Sequence, residues 1–158
     1  MTDLRASELR VAEALARHGL PGKVTVLDQL ATTAQMAADA LGIEVGRIVK
    51  SLVFKGADSG KPYLILVSGS NRVHEKRLGR QLGEALERAD ADLVRDATGF
   101  AIGGVSPFGH PAPLTTVMDE DLLAYPTVWA AAGQARSVFE IMPADLERTT
   151  GAQRLKVT

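Results

Sequence analysis

The chain has 158 residues, of which 46% are hydrophobic and 23% charged, with a formal net charge of −1 and no cysteine. This length and composition suit a single domain with a full hydrophobic core, and the lack of cysteine excludes disulfides, thiolate nucleophiles and thiolate metal sites. Because there is no apolar run near ~20 residues, no signal-peptide core and no basic excess, we expect a cytoplasmic protein that binds neither a membrane nor DNA indiscriminately.

The first half of the chain predicts helices around a β-hairpin. Gly19 and Pro21 end the first apolar-periodic helix. Thr32 and Gln35 have the spacing of a capping box. The turn residues 57–60 separate two β-rich runs and so predict a hairpin. In chain order we predict a helix over 5–18, a short strand at 24–26, a helix from 32 to 42, and strands over 48–54 and 63–67.

The second half predicts more helices and a second hairpin. Acidic residues after Asp119 suit a helix N-terminus, and Pro143 is well placed to begin the last helix. We predict helices over 73–82, 84–89 and 91–97, a strand over 114–118, a short helix from 119, a hairpin of 127–131 with 137–142, and a final helix from 143. Interleaved helices and hairpins indicate an α+β fold with a mixed sheet and flanking helices.

Residues 103–110 form the most informative segment. They read Gly103-Gly104-Val105-Ser106-Pro107-Phe108-Gly109-His110. Glycine allows close backbone approach and proline restricts collapse, so the loop suits binding through main-chain groups. A serine nucleophile is an alternative, but the G-x-S-x-G elbow would need glycine in place of Phe108, and Pro107 lacks the N–H that such an elbow donates. A tight turn without a ligand is the other alternative.

Lys50 lies within the β-rich run 48–54, where alternation places it on one face with Leu52 and Phe54. A lysine in this position either extends along the surface to reach solvent or points into a polar cleft. In a cleft, its ammonium group suits a phosphate.

A local basic segment follows the second predicted strand. Its cationic side chains are Arg72, Lys76, Arg77 and Arg80, accompanied by His74. They indicate either a solvated helix face or contacts to nucleic-acid phosphates.

The remaining catalytic inventory is small. His18, His74 and His110 lack the spacing of a zinc protease. His110 adjoins the loop and is either a ligand contact or a solvated histidine. The acidic run 119–121 suits a helix start better than a hard-cation site, because nothing near it completes an oxygen cage. We therefore expect no metal site.

Several motifs together resemble the YbaK/ProX family, over roughly residues 8–152. They are the strand 49–54 centred on Lys50, the Gly-x-x-x-Pro loop 103–107, the segment 119–122 and the turn 132–133, in the family's order. The family comprises trans-editing aminoacyl-tRNA deacylases and the editing domain inserted in bacterial prolyl-tRNA synthetases. The resemblance implies a single α+β domain with a curved mixed sheet, which we expect to span residues 1–158.

The resemblance also implies an activity: hydrolysis of the ester that joins a wrong amino acid to the 3′ end of tRNA, usually tRNA-Pro, without a cofactor. In this sequence Lys50 matches the lysine that engages the terminal phosphate, and the loop 103–107 matches the segment that holds the aminoacyl ester. Thr33 falls near positions that line the amino-acid pocket, and Gly133 lies in the turn that faces it. His110 is a further candidate for substrate contact. A prolyl-tRNA synthetase is a candidate partner.

With no cysteine, metal set or complete triad, an enzyme of this kind must position water and use the substrate's own groups. The free 2′-hydroxyl of the terminal ribose can orient water or relay a proton, and loop N–H groups can stabilise the oxyanion. The candidate amino acids are alanine, serine, threonine and cysteine. The alternatives are an inactive module that binds tRNA or a nucleotide, and a metal-free esterase of small molecules that uses Ser106.

Overall fold

The computed structural model describes residues 4–21 and 23–158. Within them five α-helices accompany one eight-stranded sheet. The helices are α1 (Ala6–Arg17), α2 (Ala34–Leu41), α3 (Glu75–Leu82), α4 (Ala91–Thr98) and α5 (Pro143–Thr150). The strands are β1 (Thr25–Val26), β2 (Ile48–Gly56), β3 (Pro62–Ser68), β4 (Leu86–Arg88), β5 (Thr115–Asp119), β6 (Val128–Ala131), β7 (Ser137–Ile141) and β8 (Gln153–Leu155).

The sheet is mixed and open. Its strand order is β1-β7-β6-β2-β3-β5-β8, and β4 pairs with β2 beside this path. β2 pairs in parallel with β6, and β5 pairs in parallel with β3 and β8, while the other pairs are antiparallel. The sequence-based prediction of an α+β fold with a mixed sheet and flanking helices is thereby confirmed.

Apolar side chains from both faces of the sheet anchor the helices. One large cluster contains Val11 of α1, Val94 of α4, Leu146 of α5 and the loop residue Phe108. Leu78 of α3 joins a second cluster, and α2 packs over Ile48 in a third. Consecutive residues of a strand point to opposite faces. The sheet is therefore covered on both sides. β2 contributes buried side chains to the clusters on both faces, Val49 to the first and Phe54 to the second.

Most predicted elements are present with small shifts at their ends. Thr33, rather than Thr32, is the N-cap of α2, because the Oγ1 of Thr33 accepts the N–H of Met36 at 3.1 Å. The 3₁₀ turn Val45–Arg47 and strand β8 were not predicted.

The helix predicted over 84–89 is wrong. Gly83 (φ 90°) ends α3, and residues 86–88 pair with the β2 edge. The Glu84 carboxylate is held by the hairpin turn, where it accepts the backbone N–H of Ser59 at 2.9 Å and the hydroxyl of Tyr63 at 2.7 Å. Long-range pairing therefore outweighs the helix propensity of Glu, Ala and Leu here.

Candidate active site

A gap along one edge of β2 creates the site. Over its other edge β2 pairs with β3 without interruption from Val49 to Lys55. On the gap side β6 pairs only with Ile48 and Val49, and β4 only with residues 54–56. Residues 50–53 therefore have no strand partner on that side within the described chain, so their edge is open to a ligand.

A two-lobed cleft lies along this open edge. The first lobe, about 400 Å³, lies toward β6 and is also lined by Thr33, Lys50 and Trp129. The second lobe, about 300 Å³, lies toward β4 and is also lined by Arg88 and Val94. The two lobes share a wall made of Ser51, Leu52, Ile102, Gly103 and Val105. The predicted loop thus borders both lobes.

Buried aromatic rings fix the loop beneath the gap. Phe100 and Phe108 are 2% and 5% exposed, and the Phe108 ring lies 5.4 Å from that of Phe139. At the end of α4, the Thr98 hydroxyl donates to Val94 O and accepts the N–H of Phe100. Arg10 of α1 lies over the Phe100 ring, 4.5 Å from its centre. These contacts hold both ends of the loop, so its exposed tip has little freedom.

The loop glycines are required by the fold itself. Gly103 has φ 94°, a conformation that favours glycine. Gly104 packs against the backbone of the 133–134 turn, where an added Cβ would lie 2.8 Å from Gly133 C. A side chain at either position would therefore displace the loop whether or not it binds a ligand.

The start of α1 supports the β6–β7 turn from behind. Gly133 (φ 97°) leaves room for the backbone of Ser7, and Gln134 Nε2 donates to the Ser7 hydroxyl at 2.5 Å. Glu8 is fully buried, and its Oε1 accepts Arg136 Nη2 at 2.9 Å and the N–H of Arg5 at 2.8 Å. Burial raises the pKa of Glu8, but hydrogen bonds from Arg5 and Arg136 and the charge of Arg136 outweigh it and lower the pKa overall. The turn that borders the cleft is thus held by an ion pair between a buried carboxylate and a partly exposed arginine.

Lys50 lines the first lobe and donates its Nζ proton to the carbonyl oxygen of Asn71. Burial lowers the pKa of Lys50, the nearby charge of Arg72 lowers it further, and Asp119 partly opposes both. Lys50 thus lines the cleft, and Arg72 is close enough for its charge to affect the pKa of Lys50. Thr33, which caps α2, lines the same lobe.

Asp119 is occupied by structural hydrogen bonds. Its carboxylate accepts the backbone N–H groups of Ser68 and Asp121 at 3.0 Å each, and the Asn71 side chain at 2.9 Å. This is consistent with the helix-start interpretation of the acidic run. In residues 4–21 and 23–158, no three His, Asp or Glu side chains are grouped so as to hold a metal ion.

Several predicted site residues do not line the cleft. Ser106 is fully buried, and its Oγ accepts the N–H of Phe108 at 3.3 Å. Gly104 and Pro107 are buried beside it. His110 borders a separate cavity of about 300 Å³ and donates its Nε2 proton to Ser106 O at 2.7 Å. Burial lowers the pKa of His110, the bond to Ser106 raises it, and Arg10 lowers it. His110 therefore stabilises the loop through its hydrogen bond to Ser106 O.

The basic segment lies on and before α3. The side chains of all four cationic residues are exposed. Arg72 is near Lys50, as its effect on the pKa of Lys50 shows. Lys76 and Arg80 border a shallow cavity of about 640 Å³ on α3, and Arg77 donates to Thr158 O at 2.6 Å. The segment thus extends from the cleft along the α3 surface.

Sequence reasoning missed three features of the site. Ser51 has a buried hydroxyl without a hydrogen-bond partner in the described chain, and it lies on the shared wall. The Glu8–Arg136 pair joins residues 128 positions apart. The Trp129 ring lines the first lobe. No local motif marks these residues, although the spacing of Arg5 and Glu8 does fit the start of a helix.

The comparisons with known proteins agree on one family. The sequence model described as "Aminoacyl-tRNA editing domain" matches residues 28–149. EbsC of Enterococcus faecalis, named as a candidate Cys-tRNA(Pro)/Cys-tRNA(Cys) deacylase, is 29% identical over 127 residues, which cover 80% of this chain and 77% of that one. The proline–tRNA ligase of Limosilactobacillus fermentum is 32% identical over 96 residues, 58% of this chain and 17% of that one.

A solved structure is similar over almost the whole chain. It is described as a candidate trans-editing enzyme for prolyl-tRNA synthetase, with 48% identity, a TM-score of 0.92 and 99% coverage of both chains. Among the described residues, no helix is both long and apolar enough to cross a membrane.

Proposed function

Because the chain belongs to the family of aminoacyl-tRNA editing domains, we propose that it removes alanine, serine, threonine or cysteine from mischarged tRNA, with tRNA-Pro as the main acceptor. As a family member it is an aminoacyl-tRNA deacylase, a hydrolase that acts on mischarged tRNA. The observation that carries the proposal is the convergence of Lys50 and the Gly103 loop on the open edge of β2. We assign the whole span 1–158 to this one domain.

The cleft offers an anion site next to an ester site. Lys50 supplies positive charge in the first lobe, with the charge of Arg72 nearby, which suits a phosphate of the tRNA 3′ end. The N-terminus of α2, capped by Thr33, opens on the same lobe and adds a favourable dipole. The amino acid then occupies the part of this lobe near Thr33.

The loop backbone supplies the oxyanion donors. The N–H of Gly104 is used within the loop, where it donates to Ala101 O at 3.0 Å. The N–H groups of Gly103 and Val105 have no hydrogen-bond partner in the described chain, and both residues line the cleft. Each such donor, aimed at the developing oxyanion, contributes about 3 kcal/mol in other enzymes.

The reaction needs no nucleophilic side chain. Water attacks the ester carbonyl carbon, the loop N–H groups stabilise the resulting oxyanion, and the bond to the ribose 3′ oxygen breaks. The 2′-hydroxyl of the terminal ribose relays the water's proton to that leaving oxygen. The products are the free amino acid and a tRNA with an intact 3′ end. Because the ester is already activated, positioning and oxyanion stabilisation are sufficient.

A deacylation panel tests the proposal. The purified protein is incubated with tRNA-Pro and with other tRNAs, each charged with alanine, serine, threonine, cysteine or proline, with and without prolyl-tRNA synthetase. We expect rapid loss of at least one small amino acid from tRNA-Pro and no loss of proline. Absence of hydrolysis from every charged tRNA would favour the inactive binding module.

Ser106→Ala separates this mechanism from a serine esterase. The Ser106 hydroxyl is fully buried and accepts a bond from Phe108, so we expect nearly full deacylation by the variant. A loss of more than about 1,000-fold, as for removal of a nucleophile, would instead support the small-molecule esterase.

A further inference from the structure

The open edge of β2 presents a free acceptor and a free donor to the cleft. Gly56 N–H donates to Lys61 O, and Gly69 N–H donates to Ile48 O, at the two ends of the β2–β3 ladder. Residues that exchange hydrogen bonds in an antiparallel ladder recur at every second position. The backbone groups of Ser51 and Val53 therefore point away from β3, toward the gap.

The flanking strands leave one acceptor and one donor of these groups unpaired, namely the carbonyl of Ser51 and the N–H of Val53. The pairing of β6 ends at Val49 and that of β4 begins at Phe54. No described residue bonds the carbonyl of Ser51 or the N–H of Val53. A carbonyl at one position and an N–H two positions later lie side by side on a strand edge. Adenine carries the complementary pair on one edge, because its N6 amino group donates and its N1 accepts.

We infer that the second lobe binds the 3′-terminal adenine of the substrate, with N6 donating to Ser51 O and N1 accepting the N–H of Val53. This inference rests on the proposed deacylase function and adds the recognition of the base. The two lobes share Gly103. When the aminoacyl ester is bound at that loop, its amino acid can therefore lie in the first lobe and the adenine of its terminal nucleotide in the second.

The walls of the second lobe fit a nucleobase. Val94 and Ala89 are apolar, and Ile102 at the loop tip is 65% exposed, more than any other large hydrophobic side chain in the described chain. Such a side chain can pack on the flat face of a base. The exposed Arg88 at the same lobe forms no ion pair with a described residue. Arginine stacks on bases and attracts the neighbouring phosphates.

Two nucleotides that differ only in the base edge test the inference. Adenosine 5′-monophosphate and inosine 5′-monophosphate are titrated into ¹⁵N-labelled protein and followed by NMR. Inosine places a donor at N1 and an acceptor at position 6, so both contacts are lost, while the phosphate contact to Lys50 is the same. We expect adenosine monophosphate to bind at least about 10-fold more tightly and to shift the Val53 amide signal. Equal affinities would overturn the inference.

Val53→Pro removes the donor itself. The N–H of Val53 does not belong to the β2–β3 ladder, so proline should be tolerated at this edge position. We expect the variant to lose the preference for adenosine over inosine monophosphate, whereas Val53→Thr, which keeps the N–H, should retain it. If Val53→Pro does not fold, the comparison of adenosine and inosine monophosphate on the unaltered protein still tests the inference.

Ile102→Ser tests the packing on the base. It should weaken binding of adenosine monophosphate several-fold, while Leu9→Ser, at a half-exposed leucine of α1 away from the cleft, should not. Unchanged binding by Ile102→Ser would place the base elsewhere. Deacylation of charged tRNA is measured on the same proteins: hydrolysis without base preference refutes only the adenine site, and base preference without hydrolysis refutes only the proposed function.

Discussion

Lys50 shows how one side chain can serve both the fold and a ligand. In the structure its ammonium group is bonded to the carbonyl of Asn71, and burial together with Arg72 lowers its pKa. A cation whose charge is disfavoured in this way gains from an approaching phosphate. The hydrogen bond to Asn71 thus fixes the Lys50 side chain in the position that we propose for the phosphate contact.

Replacing Lys50 should therefore affect substrate use more than folding. We expect Lys50→Ala to lower kcat/KM for deacylation by roughly 10- to 100-fold, because hydrogen bonds to charged groups contribute about 1.5–3 kcal/mol. Lys55→Ala, on the same strand but exposed, is the matched control. If both variants keep the kinetics of the unaltered protein, Lys50 serves only to bind Asn71.

His110 gives the loop a pH dependence. Its pKa is lowered from 6.5, first by burial and then by Arg10, although the bond to Ser106 opposes the shift. The unfolded chain then binds more protons than the folded one below pH 6.5. The contribution to stability is complete above pH 6.5 and declines as the pH falls below it.

His110→Gln should remove this dependence. Glutamine can still donate to Ser106 O but does not titrate, so we expect its melting temperature to fall less between pH 7 and pH 5 than that of the unaltered protein. Melting curves across this range provide the measurement. Parallel pH profiles for the two proteins would assign the acid sensitivity to other groups.

At the scale of elements, the cleft depends on a stack of three segments. The start of α1 supports the β6–β7 turn, the turn supports Gly104, and Gly104 fixes the loop that borders both lobes. The ion pair between Glu8 and Arg136 ties the first two segments together. A change at α1 is thus transmitted to the cleft although α1 does not line it.

Glu8→Gln tests this transmission. It leaves Arg136 without its charged partner, and we expect a loss of roughly 2–4 kcal/mol in stability, with kcat reduced at temperatures where the variant is still folded. Glu13→Gln, an exposed residue of the same helix, should change neither. Normal kcat for a destabilised Glu8→Gln would restrict the pair to a role in folding.

Elements with strong local signals could be predicted, and those made by distant pairing could not. The hairpin of β2 and β3 follows from alternation and the turn at 57–60, and the start of α5 follows from Pro143. Residues 84–89 have helical composition, yet Leu86–Arg88 pairs with β2 across the sheet. The same pairing sets one boundary of the gap. The shape of the site therefore could not be predicted from sequence either, because it depends on this long-range pairing.

At the scale of the whole molecule, the basic segment extends the cleft into a larger surface. α2 and α3 lie over the same face as Lys50, and the exposed cations of α3 continue from Arg72. A tRNA whose 3′ end enters the cleft would pass near these side chains. Their contribution should be electrostatic and independent of sequence.

Reversing two of these charges tests that surface. We expect Lys76→Glu with Arg80→Glu to weaken tRNA binding and to lower the slope of log K against log salt by about 0.7 to 0.9 per lost contact, with little effect on turnover at saturation. The control is Arg17→Glu with Lys23→Glu, an equal charge change on exposed residues. The same salt slope in both double variants would identify the α3 segment as a solvated face.

The loop motif was recognisable from sequence, but the reason for its glycines was not. The sequence suggested that the glycines admit a ligand, whereas the structure shows that Gly104 admits the 133–134 turn and that Gly103 needs a positive φ. Lys50 and Thr33, which the resemblance assigned to the terminal phosphate and to the amino-acid pocket, both line the first lobe, and their roles stay predictions. The contact between Gly104 and the 133–134 turn joins residues about 30 positions apart, which no local pattern encodes.

The loop's glycine-dependent packing has a thermal consequence. Because its geometry is set by Phe100 and Phe108, which belong to the main core, and by the 133–134 turn packed against Gly104, the tip has no independent unfolding step. Its entropy is lost during folding rather than at each catalytic cycle. Heating should therefore leave catalytic competence intact until the domain melts as a whole, and inactivation and unfolding should coincide in temperature.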